Sequence, residues 1–138
     1  MRRVIIFVLA CFPILSYSAQ TLNELRDRNP QLCQDIKKED GNSGIWECLT
    51  RLQADSEAQL KTRLKEVRAE LKEIGYEPYQ KAFEKDQLAW EAYKKTRCEY
   101  LTAGTLKDSV AFDLHGAMCN ASENYRRIDT LKNEPPFS

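Results

Sequence analysis

Cys33, Cys48, Cys98 and Cys119 are the residues of this chain most able to do chemistry. A thiol can ligate a metal, attack a carbonyl or pair with another thiol, and spacing helps to decide among these. No two of the four lie close together and His115 is the single imidazole, so the clustered ligands of a zinc site are missing. His115 has no Ser, Cys or carboxylate partner at a recognisable motif spacing, so it reads as a surface or boundary residue rather than a general base. Glu57 with Lys61, Glu66 with Glu70 and Lys81 with Lys85 form stretches of mixed sign, the pattern of a solvated face. Phosphate-binding loops and acid–base dyads are not recognisable. The expectation is a protein that is not an enzyme and uses no metal or cofactor.

The thiols are better read as two disulfides, and the start of the chain supplies the compartment. Arg2 and Arg3 precede an apolar run from Val4 to Leu15, followed by Ser16, Tyr17, Ser18 and Ala19. This is the layout of a secretory signal peptide, with cleavage expected after Ser18 or Ala19. The run is too short for a membrane span, which needs roughly 20 apolar residues. Val8-Leu9-Ala10-Cys11 weakly resembles a lipoprotein box. Leu9 fits poorly and the apolar run continues past Cys11, so lipidation there is the weaker reading. Residues 1–19 are read as the signal and residues 20–138 as one helical domain. Removing Cys11 leaves an even count of four, and an exported chain with an even count reads as disulfide-bonded.

Composition narrows the partners. The whole chain carries 21 basic and 21 acidic residues, and loss of Arg2 and Arg3 takes it to −2. A nucleic-acid binder would be basic, so that class is set aside. With 30% charged and 42% hydrophobic residues, the chain is neither disordered nor an integral membrane protein.

The elements that must position the cysteines are helical. Ile45, Leu49 and Leu52 begin a stripe that Leu60, Leu64, Val67, Leu71 and Ile74 continue at steps of four and three. Gly75 stops it and Pro78 suits the first turn of the next helix. That helix is expected from near Pro78 to about Leu101, with Tyr79, Phe83, Trp90, Tyr93 and Tyr100 on its apolar side. Thr102-Ala103-Gly104-Thr105 breaks it. A third long helix lies between Asp108 and Lys132, carrying Val110, Leu114, Met118, Ala121, Tyr125 and Ile128, and Glu134-Pro135-Pro136 ends the order. Leu22 to Asp40 has a short helical look broken at Asn29-Pro30, and Asp40-Gly41-Asn42-Ser43-Gly44 is the clearest loop. The fold class is all-α: an antiparallel three-helix bundle with a short extra N-terminal helix, stapled by two disulfides. Turning at Gly75 brings Cys48 and Cys98 to one end, which Cys33 and Cys119 can also reach. This geometry does not decide the pairing.

Gln87, Trp90, Tyr93, Lys94 and Cys98 stand in the order Q-x-x-W-x-x-[FY]-[RK]-x-x-x-C. This segment resembles the LprI-type lysozyme inhibitor family of bacterial exported proteins. Gly104-Thr105 sits where that family has a Gly-Ser element, and Cys119, Arg127 and Leu131 fit its C-x7-R-x3-L. Cys33 and Cys48 resemble the first two cysteines, and Leu60 an apolar position after them. The chain departs from the pattern at Asn124, where the family has Thr, at Leu60-Lys61 and Leu64, where it has Leu-Asn and then Tyr, and in the longer stretch between Cys33 and Cys48.

The resemblance implies Cys33 paired with Cys48 and Cys98 with Cys119, each worth about 3 kcal/mol in the chain-entropy model. Cys48 with Cys98 stays open on hairpin geometry. The resemblance also implies a stoichiometric inhibitor that occludes a lysozyme or related cell-wall hydrolase. The candidate contact loops are Asp40 to Gly44, with Asp40, Asn42 and Ser43, and Thr102 to Ser109, with Thr105, Lys107 and Asp108. Trp90 and Tyr93, one helical turn apart, are either a core anchor or an exposed aromatic surface. Arg127 is expected to pair with Glu91 or Asp86, tying two helices, and Gln87 to donate a hydrogen bond to a helix or loop. The alternatives are an immunity or envelope-stress protein that binds another partner, and a helical spacer, which would show no exposed apolar patch. Periplasm and extracellular space both fit the signal, and the oligomeric state is open.

Overall fold

The structure, a computed structural model, describes residues 20–137, so the segment read as an export signal lies outside the described residues. Four helices follow in order: α1 (Leu22–Arg28), α2 (Gly41–Ile74), α3 (Glu77–Thr102) and α4 (Val110–Leu131). No strand occurs among the described residues. The all-α, disulfide-stapled expectation holds.

Each boundary has a local cause. Thr21 and Glu24 form a reciprocal capping box at the start of α1, and Asn29-Pro30 ends that helix. Gly75, at φ 72°, closes α2 in the left-handed conformation, and its N–H donates to the Leu71 carbonyl. Pro78 lies in the first turn of α3, where its missing N–H costs nothing. The Ser109 hydroxyl accepts the Phe112 N–H and starts α4. At the far end of α4, Arg63 donates to the Leu131 carbonyl in the last turn and to the Glu134 carbonyl just beyond it, at 2.9 and 2.6 Å, tying the helix end to α2.

One expected loop is absent. Gly41 to Gly44 form the first turn of α2, entered through a short 3-10 turn at Lys38–Asp40. Gly, Asn and Ser favour a loop locally, but packing prevails. Gly44 is buried, and a Cβ there would come within 2.7 Å of Ile36 Cγ2 and 2.8 Å of Asp40 Cβ. The glycine lets the preceding turn lie directly on the helix.

The bundle runs up–down–up, with α4 at its centre. Ala121 to Tyr125 are five consecutive buried residues, so α4 is covered on more than one face. Its largest interface is with α2, to which it runs parallel: Leu52 meets Tyr125, Ser56 meets Asn124 and Arg63 meets Leu131. This register sets Cys48 level with Cys119. Leu49, Leu52, Val67 and Leu71 supply the α2 side of the core. Fully burying a side chain such as Leu52 is worth ~1.5–3 kcal/mol.

The α2–α3 hairpin is looser than its short connection implies. These two helices share far less contact than either has with α4. The inward residues of α3 are Phe83, Gln87, Trp90, Lys94 and Cys98, at steps of four, three, four and four, and two of them are polar. Tyr93 and Tyr100, expected on the apolar side, are 51% and 71% exposed. The core-anchor reading therefore holds for half-buried Trp90 and fails for Tyr93.

Candidate functional site

The disulfides are Cys33–Cys48 and Cys98–Cys119, with Cα–Cα distances of 5.3 and 5.6 Å. This is the pairing that the resemblance implied, and Cys48–Cys98 is excluded. Arg51 reinforces the first staple by donating to the Leu32 carbonyl at 3.0 Å and to Asp35 at 2.7 Å.

The motif residues come together on the α3–α4 seam. Arg127 is buried; its Nε donates to Gln87 Oε1 at 3.0 Å and its Nη2 to Asp86 Oδ2 at 2.8 Å. Its guanidinium also stands 5.7 Å from the centre of the Trp90 ring, within cation–π range. Asp86, not Glu91, is thus the ion-pair partner. Gln87 accepts across the helices, rather than donating, and gives its own Nε2–H to Glu91 at 3.2 Å. Tyr93 is turned outward into a shallow groove with Trp90, Arg127 and Thr130.

One turn further along, Lys94 Nζ donates to Asn124 Oδ1 at 2.8 Å, and Asn124 Nδ2 donates to Ser56 Oγ at 3.0 Å. This chain links α3, α4 and α2. Burial pulls the Lys94 ammonium below its ordinary pKa, while Glu57, Glu123 and Glu91 act through space in the other direction. Reading the sequence missed this group. Lys94 looked like a motif position and Asn124 like a departure; the four-residue step from Trp90 to Lys94 was the available signal that both face inward.

α2 and α3 diverge around this group. The cleft between them has a volume of about 760 Å³; Leu60 and Leu64 form one wall, Trp90 and Lys94 the other, and Phe112, Gly116 and Asn120 the floor on α4. On the opposite side of α4, Arg28 forms a bidentate pair with Asp129 at 2.7 Å and lies 4.7 Å over the Tyr125 ring. The Arg28 guanidinium holds the Asp129 carboxyl down at about 2. Burial, and then the Asp55 carboxylate to which it donates, pushes the Tyr125 hydroxyl upward.

Of the two candidate contact segments, Thr102 to Ser109 does connect two helices, and the Cys98–Cys119 disulfide ties the helices on either side. Gly104, Lys107 and Asp108 are exposed, Thr105 is half-buried and its hydroxyl donates to the Thr102 carbonyl at 2.7 Å. Leu106 is 81% exposed, and Tyr100 near the end of α3 and Val110 at the start of α4 are exposed as well. Asp40, Asn42 and Ser43 are exposed at the start of α2, as part of its entry turn and first turn rather than of a loop. His115 is exposed. Among the described residues there is no cluster of metal-ligating side chains, and no helix is long and apolar enough to cross a membrane.

The fold and its motif cluster define a small helical domain held by two disulfides and a buried Arg–Gln–Trp clamp. The chain belongs to the LprI lysozyme inhibitor family, whose pattern it matches over residues 33–131. No curated protein and no solved structure matches it. The family is named for inhibition rather than catalysis, and its name implies a protein partner. Family and disulfides are both consistent with an exported protein.

Proposed function

We propose that this protein is exported by the segment at residues 1–19 and inhibits a lysozyme or related cell-wall hydrolase by stoichiometric occlusion. The observation that carries this reading is the family match over residues 33–131, which includes both disulfides and the motif.

The Thr102–Ser109 connection is the contact surface. Its base is fixed by the Cys98–Cys119 staple, so little ordering is needed on binding. Its tip presents Leu106 beside Lys107, both exposed. Glycosidase clefts work through paired carboxylates, and an apolar residue next to an ammonium suits such a cleft. A spacer would show no exposed apolar side chains, whereas Leu106 on the connection, Tyr100 near the end of α3 and Val110 at the start of α4 are all exposed. The mature charge of −2 gives little steering toward a basic enzyme, so affinity has to come from the contact itself. That weak charge also favours a second reading, in which the same loop neutralises a different secreted toxin.

The test is residual lytic activity of several lysozymes titrated with purified, oxidised mature protein. Activity should fall to its floor near equal molarity, and Leu106→Asp with Lys107→Glu should weaken inhibition by about tenfold or more. No loss of activity at large excess on any lysozyme would overturn the inhibitor reading and leave the toxin one.

A further inference from the structure

The cleft between α2 and α3 is not used by the reading above. Its volume of about 760 Å³ falls within the ~300–1,000 Å³ typical of small-molecule sites. Leu60, Leu64, Trp90 and Phe112 make it apolar, and Gly116 leaves its floor open: a Cβ there would meet only Thr102 Cγ2, at 3.7 Å.

Lys94 stands in this apolar surface. Its ammonium has three N–H donors, one of which goes to Asn124 at 2.8 Å. The Trp90 ring centre lies 5.6 Å away. Among the described residues no carboxylate stands within ion-pair distance of its Nζ. Glu57 and Glu91 are exposed at the rim, where each accepts from a glutamine, Gln53 and Gln87 respectively. They help keep Lys94 charged without occupying its donors. Ser56 and Asn124 hold the ammonium in place, so it is a pre-positioned cation beside an aromatic ring at the edge of an apolar trough.

We infer that the cleft binds a single-chain amphiphile with an anionic head, the head accepting from Lys94 and the chain lying along Leu60, Leu64, Trp90 and Phe112. A carboxylate or a phosphate could supply the head, so a free fatty acid and a lysophospholipid share the required chemistry. A charge-assisted hydrogen bond in a partly desolvated site outweighs the repulsion from the solvated rim carboxylates Glu57 and Glu91 and from buried Glu123, whose charge Arg126 offsets at 2.7 Å.

The experiment uses the oxidised mature protein carrying Trp46→Phe, so that Trp90 is the remaining tryptophan and its fluorescence reports the cleft. Dodecanoate, dodecyl phosphate and dodecyltrimethylammonium are titrated below their micelle concentrations. The anionic probes should bind about tenfold or more tightly than the cationic one, and Lys94→Gln should remove that preference. A preference for dodecanoate would point to a fatty acid, and one for dodecyl phosphate to a phospholipid source. Gly116→Leu, which fills the floor about two turns of α4 away from Asn124, the partner of Lys94, should abolish binding of all three. Equal binding of the three, no binding of the anions, or anion binding that survives Lys94→Gln or Gly116→Leu would overturn the inference. None of these readouts depends on lysozyme, so failure here leaves the inhibitor reading standing.

Discussion

The Arg127–Gln87 contact allows a quantitative test of whether the family motif is a structural clamp. Arg127 is 6% exposed and Gln87 2%, and their 3.0 Å hydrogen bond is buried. Asp86, the ion-pair partner, has a side chain 67% exposed, so that pair contributes only about 0–1 kcal/mol. The bond to Gln87 involves a charged donor away from water and is worth about 1.5–3 kcal/mol. The Trp90 face adds about 0.5–1 kcal/mol. Arg127→Met should therefore cost about 2–4 kcal/mol, and Gln87→Leu about 1–3 kcal/mol for stranding the buried guanidinium N–H. The double variant puts two apolar side chains where two polar groups met, so it should cost less than the two singles together by about 1–3 kcal/mol. Urea denaturation of the oxidised proteins measures all four corners of the cycle. Additivity within about 0.5 kcal/mol would refute the argument, because it would mean that the two groups do not depend on each other.

Other perturbations test separate parts of the fold. Paired Cys→Ala changes should cost about 3 kcal/mol at either disulfide, since sequence separations of 15 and 21 differ little in loop entropy; calorimetry checks this. Asp129 has a depressed folded pKa of about 2 against 3.8, so its contribution is present above pH 4 and fades as pH falls toward 2. Asp129→Asn should flatten the stability profile over that acid window and leave its shape at neutral pH unchanged, as read by denaturation at stepped pH. Gly44→Ala should destabilise by about 1–3 kcal/mol through its clash with Ile36 and Asp40, and an unchanged midpoint would show that the entry turn yields freely.

Much of this fold was legible in the sequence for identifiable reasons. Gly75 and Pro78 are strong local punctuation, and both act where expected. The stripe from Leu49 to Leu71 is regular because α2 packs along most of its length on one partner. Legibility fails where burial is polar. Gln87, Lys94, Asn124 and Arg127 face inward, yet a search for apolar periodicity passes over them; the Arg127 pairing was foreseeable from the motif, but the Lys94–Asn124–Ser56 chain and the cleft were not. The Asp40–Gly44 segment misled because its residues signal a loop while a long-range contact at Gly44 decides the matter. Of the candidate site, the cysteines and motif positions were visible, and the pairing came through family resemblance rather than spacing. Separation of α2 from α3 has no local signature at all.

The position of α4 also bears on how the chain acquires its shape. The central helix is made after both of its long neighbours, which touch one another far less than they touch it. A growing chain that has reached Thr102 thus holds two long amphipathic helices that lack their main packing partner. Such a fragment is expected to remain expanded, with only Cys33 and Cys48 near enough in sequence to close early. Cys98 must wait, reduced, until α4 brings Cys119 to it. Folding of this domain is therefore an event that waits for α4 rather than a progressive one, with the first disulfide able to precede it and the second bound to follow.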